Sequence, residues 1–272
     1  MSGTARVRPP AVSGRFYPAD PHALTATLDA CFAAARPAPH TPGAPGAPAP
    51  RALVVPHAGY VYSGPVAASA YARIAGAPFD RVVLLGPSHH VALRGMAVPT
   101  VDAFATPLGR VPIDTDARTQ ALDVPHVVAD DLPHALEHSL EVQLPFLQRV
   151  LGPFTLLPVV VGDATAAEVA ALLDVVWPPD ATGTLVVVST DLSHYHPDAE
   201  AQALDARTAA AIVAGDAAAI RGVDACGVRP LRGLLTVARD RHLRVEQLDL
   251  RNSGHTAGDR SQVVGYGAFA VR

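Results

Sequence analysis

Short apolar runs alternate along this chain with stretches whose apolar residues recur every three or four positions. The runs at residues 53–55, 82–85, 156–161 and 185–189 are uninterrupted, bounded by turn residues and too short for helices. They read as strands buried on both faces. Helical spacing appears first after Asp20, an N-cap residue followed by Pro21, where Leu24, Leu28, Cys31 and Phe32 form one stripe. Cys31 on that stripe reads as a small core hydrophobe. Further helices are expected over about 65–74, 165–176, 199–213 and 230–238, with a short one capped by Asp114. Residues 137–151 also carry helical spacing, in which Pro145 suggests a kink or a start partway along. Residues 96–98 are expected to be extended, and 104–114, FATPLGRVPID, to be a turn-rich connection. Residues 245–250 and 262–271 close the chain as strands, the second alternating like a half-buried antiparallel strand, with a glycine-rich loop between them.

Strands alternating with helices predict an α/β fold, a mixed central sheet flanked by helices. The 272 residues show no break in composition that would divide them, so residues 1–272 read as a single domain. Residues 36–50, rich in Pro, Ala and Gly and without periodicity, are expected to be a surface loop.

Charge and cysteine content narrow the function classes. A formal net charge of −4, without long charged runs, leaves no basic footprint for nucleic acid or an anionic membrane. No stretch has the apolar length of a bilayer span, and the first residues lack a leader's apolar core, so a cytoplasmic location is expected. Two cysteines are too few for a disulfide framework. The abundance of Ala, Pro and Arg over Lys resembles the usage of GC-rich bacterial genomes.

Histidines stand where the strands end. RALVVPH (51–57), RVVLLGPSHH (81–90) and TLVVVSTDLSH (184–194) each run from an apolar strand into a histidine within a few residues. Open α/β sheets bind ligands outside the carboxyl ends of their strands, so three such endings point to one site. Imidazole and thiolate together make a transition-metal ligand set, and His57, His89 and Cys226 would supply it, with His90 an alternative to His89 or a substrate-facing neighbour. Cys226 precedes a helix, a position that favours thiolate. Asp191 and His194 form a DxxH pair in which the carboxylate would orient a basic imidazole; the competing reading is a turn cap with an exposed histidine. Glu137, His138 and Glu141 could face the same site, or simply complement a helix start. Tyr60, Tyr62 and Tyr195 are candidates for lining the pocket. A nucleophilic Cys226–His194 pair remains an alternative. No GxGxxG, P-loop, GxSxG or CxxC motif is present.

Taken in order, PHAGYVYSG, LGPSHH, EHSLEVQLPF, STDLSHY and ACGVRP closely resemble the MEMO protein family, and AVSGRFYPAD and VGYGAFAV resemble its two ends. The resemblance implies the α/β fold of the class III extradiol dioxygenases, which are non-haem iron enzymes. It makes His57, His89 and Cys226 metal ligands for Fe(II), with Cu or Zn as alternatives, and places Asp191 and His194 beside them, His194 at the position of the dioxygenase base. His90, His138, Glu141, Tyr60 and Tyr195 fall around that centre or face its substrate. Those dioxygenases have a carboxylate where this chain has Cys226, so the resemblance does not carry ring cleavage with it. The family's microbial members are called AmmeMemoRadiSam system protein B, which implies an AMMECR-type protein and a radical SAM protein as partners, beside a small-molecule or peptide ligand. Whether the chain is an enzyme stays open; if it is, a metal-dependent oxidoreductase is implied.

Overall fold

The computed structural model describes residues 5–36 and 49–272, so residues 37–48 of the expected surface loop lie outside the described residues. The strands, in chain order, are β1 (Val7–Arg8), β2 (Ala52–Val55), β3 (Arg81–Pro87), β4 (Met96–Val98), β5 (Ala103–Thr106) and β6 (Gly109–Pro112). β7 (Val127–Ala129), β8 (Thr155–Val161), β9 (Thr184–Ser189), β10 (His194–His196), β11 (Val245–Asn252) and β12 (Val263–Val271) follow.

The main sheet has the order β10-β12-β2-β9-β3-β8-β4-β7, with β11 paired to β12. β2, β9, β3 and β8 run parallel, while β12 is antiparallel to β2 and β4 is antiparallel to β8. The sheet is therefore mixed, as expected. Successive side chains of a strand point to opposite faces, and here each face has its own core. Ala52, Val54, Val83, Leu85, Val186 and Val188 pack under the helices Ala166–Val176 and Val228–Asp240. Leu53, Val55, Val82, Leu84, Leu185 and Val187 pack on the other face, against Pro21–Ala33, Tyr60–Tyr71 and Leu144–Val150. Burial on both faces is why the central strands are continuous apolar runs.

Capping chemistry sets several boundaries. The Asp20 side chain accepts from Ala23 N at 2.8 Å, with Pro21 in the first turn. Thr165 and Glu168 form a reciprocal capping box that opens Ala166–Val176.

Three expectations are corrected. The helix expected near residue 65 begins at Tyr60, with Pro65 inside it; the segment is held at its start because Tyr60 N donates to Phe16 O of the distant N-terminal turn. Residues 104–114 include most of an antiparallel hairpin, β5–β6, which β1 joins in parallel as a separate three-stranded sheet. The stretch 137–151 is two short helices, His138–Glu141 and Leu144–Val150, the second with Pro145 in its first turn, the start partway along that this proline signals. β12 is almost wholly buried rather than half-buried, because strands flank it on both sides and helices cover it.

Candidate metal centre

The register Val54↔Val188 and Leu85↔Val188 puts the carboxyl ends of β2, β9 and β3 side by side, with β9 in the middle. His57 follows β2, His89 follows β3, and residues 190–194 follow β9. Cys226 comes from outside the sheet, two residues before the helix Val228–Asp240. It is stitched to the end of β9: Cys226 N donates to Asp191 O, Gly227 N to Thr190 Oγ1 at 2.8 Å, and Asp191 N to Cys226 Sγ at 3.2 Å.

His57, His89 and Cys226 each offer a ligand atom, and these atoms all lie within 4.8 Å of one another. Cys226 Sγ is 3.2 Å from His57 Nε2, and the two imidazole rings meet edge to face with centroids 5.2 Å apart. His57 is 2% exposed, whereas His89 is open on one side. Burial, with His89 and His138 nearby, holds His57 well below the usual histidine range, so it is neutral. A cleft of about 310 Å³ opens beside Cys226, lined by Ser88, Leu93, Gly162 and Arg229 among others.

The expected effect of the helix start on Cys226 is outweighed. Burial first, then the Asp191 carboxylate, push its thiol up to about 12. Cys226 is therefore a thiol in this environment; a coordinated cation would be needed to reverse that. Asp191 is itself pushed up to about 7 by burial, against the N–H of His57, which donates to Asp191 Oδ1 at 2.7 Å.

The family model described as Memo-like protein matches residues 8–270. A MEMO1 family protein of Methanopyrus kandleri is 40% identical, the match covering 97% of this chain and 99% of that protein. A MEMO1 family protein of Aquifex aeolicus is 38% identical, covering 96% and 97%. The chain belongs to the Memo-like family. Among solved structures, an uncharacterized protein of Escherichia coli K12 aligns with a TM-score of 0.51 at 13% identity, over 79% of this chain and 98% of that one, a likeness of fold alone.

In this Memo-like chain the remaining predicted residues divide by position. His138 stacks on His89 with centroids 4.6 Å apart and meets His57 edge to face at 5.4 Å, so it walls the open side. His90 is exposed at the same lip, 6.1 Å from the His138 ring. Burial, then His89, bring His138 down to about 4. His194 donates from Nδ1 to Leu192 O at 2.8 Å, which leaves Nε2 free. A carbonyl, not the Asp191 carboxylate, thus sets its tautomer. Burial lowers its pKa, the Leu192 bond opposes this, and His89 adds to the lowering. Tyr195 is exposed beside it, at φ 61°, in the bulge where β10 pairs with β12.

Tyr60 and Glu141 are taken up by the Memo-like scaffold. Tyr60 is buried, its hydroxyl donating to Val142 O at 2.6 Å and its ring packed on Phe146. Glu141 accepts from Arg8, Ala11 N, Val12 N and Tyr17, which fills the lone pairs of both its oxygens.

Glu137, one of the two readings left open in the sequence, serves both as a helix cap and as a partner of the centre. Its Oε1 lies 2.8 Å from His89 Nδ1 and accepts from Ser139 N, while Oε2 accepts from His89 N. Burial would raise its pKa, but the bonds from His89 and Ser139 bring it well below the usual carboxylate range. As a carboxylate it can only accept, so His89 Nδ1 donates and Nε2 faces the centre. Arg8 stands behind it, Nη2 donating to Glu137 O at 2.8 Å. Nothing in the sequence around Arg8, which follows Arg6 two positions on, marked it.

Proposed function

We propose that this chain holds a divalent transition metal, Fe(II) in the first place with Cu or Zn as alternatives, on His57, His89 and Cys226. One observation carries the reading: two imidazoles and a thiol converge to within 4.8 Å of one another at the carboxyl ends of adjacent strands. The donor set fits such an ion, because three protein ligands of mixed nitrogen and sulfur leave positions open. Bound there, the metal would supply Lewis acidity and a place for oxygen or substrate.

The chain's own groups would do the rest. Cys226 would give up its proton on ligation. Glu137 would hold His89 and raise its basicity. His194, with a free Nε2, is suited to accept or return a proton from a bound molecule, and the buried Asp191 holds the His57 loop by its backbone. His90, His138 and Tyr195 form the lip a small or peptide substrate would pass. The activity we propose is dioxygenase-like and oxygen-dependent, and the setting we propose for it is the cytoplasm, in company with AMMECR-type and radical SAM proteins.

The test is anaerobic reconstitution of the full chain with Fe(II), followed by elemental analysis and oxygen uptake on admitting air with a panel of catechols and small peptides. Near one iron per chain and uptake abolished by His194→Ala are expected. Absence of bound iron, copper or zinc after reconstitution would end the metal reading. A second reading, a non-catalytic binding module, is favoured by the exposed side chains Val61, Tyr62 and Tyr195; iron without oxygen uptake on any substrate would move the conclusion to it. Within the metal reading, Glu137→Gln is expected to weaken metal affinity about 10–100-fold, the usual effect of losing a ligand's outer hydrogen-bond partner. Metal competition titration checks this, and an unchanged affinity would remove Glu137 from the centre.

A further inference from the structure

A line of buried polar side chains leads from His57 into the core, and two carbonyls assign every proton along it. Pro56 O lies 2.9 Å from one end of the Gln143 amide; a carbonyl only accepts, so that end is the nitrogen. The other end, Oε1, then accepts from the Tyr71 hydroxyl at 2.9 Å. The second amide proton goes to Ser189 Oγ at 2.8 Å. Ser189 in turn donates its one proton to Ser139 O at 2.6 Å, again a group that only accepts. What remains on Ser189 Oγ is a lone pair facing His57 Nδ1 at 2.9 Å. Nδ1 must therefore carry the ring proton. Nε2 is left bare, and Nε2 is the atom 3.2 Å from Cys226 Sγ.

We propose that Ser189, saturated by Gln143 and Ser139 and backed by Tyr71, is a positioning residue that fixes His57 as the Nδ1–H tautomer, so that Nε2 is presented to a metal. This deepens the metal reading above and rests on it. Reversing the tautomer would turn the Ser189 proton toward Nδ1 and leave Ser139 O without its partner, in a place where Tyr71, Ser139, Gln143 and Ser189 are each at most 1% exposed. The groups come from four elements: the end of Tyr60–Tyr71, the helix His138–Glu141, the residue before Leu144–Val150, and the last residue of β9. The lock is thus set by how the core assembles. Packing alone asks for none of these polar atoms, since an apolar side chain at 189 would fill the same space.

The experiment is long-range nitrogen-15 NMR of the histidine rings in the metal-free full chain, followed by Zn²⁺ competition titration, for the wild type and Ser189→Ala. The wild-type His57 ring is expected to show a protonated Nδ1 and a bare Nε2. Ser189→Ala should mix or reverse that pattern and weaken Zn²⁺ binding about 10–100-fold, while His89, held by Glu137, keeps its own pattern. The wild-type spectrum decides the tautomer even if the variant does not fold. A proton on Nε2 of wild-type His57, or an unchanged His57 ring in Ser189→Ala, overturns the proposal. The expected tautomers in a protein that takes up none of Fe(II), copper and zinc would uphold the lock and sink the metal reading.

Discussion

Cys226→Ser and His57→Ala are each expected to lose metal at concentrations where the wild type is saturated, with affinity lowered by more than about 100-fold, beyond what loss of an outer partner costs. The two losses have different causes. Serine at 226 removes the sulfur on which Fe(II), Cu and Zn all draw, and a hydroxyl in that buried position has no comparable affinity for them. Alanine at 57 removes the innermost nitrogen and leaves Ser189 without the group it was set to receive. Both variants should fold, since the backbone N–H groups of residues 226 and 227 keep Asp191 O and Thr190 Oγ1 in one and the His57 backbone keeps Asp191 in the other. Elemental analysis after gel filtration, with far-ultraviolet circular dichroism as the control for folding, gives the answer. Wild-type metal content in either folded variant would take that residue out of the ligand set.

Arg8→Ala is expected to destabilise the chain by about 3–5 kcal/mol, the scale of removing one member of a buried charge pair. Arg8 is 5% exposed and Glu141 fully buried. The guanidinium makes three strong contacts at once, to Glu141 Oε2 at 2.6 Å, His134 O at 2.7 Å and Glu137 O at 2.8 Å, and lies 4.9 Å from the Phe104 ring centroid. Alanine would leave a carboxylate in the core without its counter-charge and take one donor away from each of two carbonyls. A loss of that size is a large part of the 5–15 kcal/mol typical of a folded domain, so urea unfolding should show a much lower midpoint. Arg8→Lys keeps the charge but not the fork and should recover only part of the loss. A midpoint unchanged by Arg8→Ala would mean that Glu141 is satisfied without it.

How much of this was legible follows from how far apart the interacting residues lie. The helix Pro21–Ala33 and the central strands were readable because their signals are local: a cap, a stripe, an apolar run. The hairpin β5–β6 was not, because Pro107 and Gly109 read as turn residues and its third strand, β1, comes from nearly a hundred residues earlier. The convergence of His57, His89 and Cys226 was legible in part, since strand ends in a parallel sheet share an edge. Of their supports, only Glu137 was offered by the sequence. Ser189 and Gln143 act through contacts that span about 50 to 130 positions, and no spacing rule records those. Cys226 shows the converse error: its helix start was correctly placed, but burial beside Asp191 outweighs the dipole.

Tyr195 has a consequence for engineering. A bulky side chain in left-handed backbone costs roughly 1–2 kcal/mol that glycine would not. Its ring is 71% exposed and contributes little to the core. Consensus or computational redesign scored on folding alone would therefore exchange it, gaining thermal robustness while removing the aromatic ring that lies beside His194.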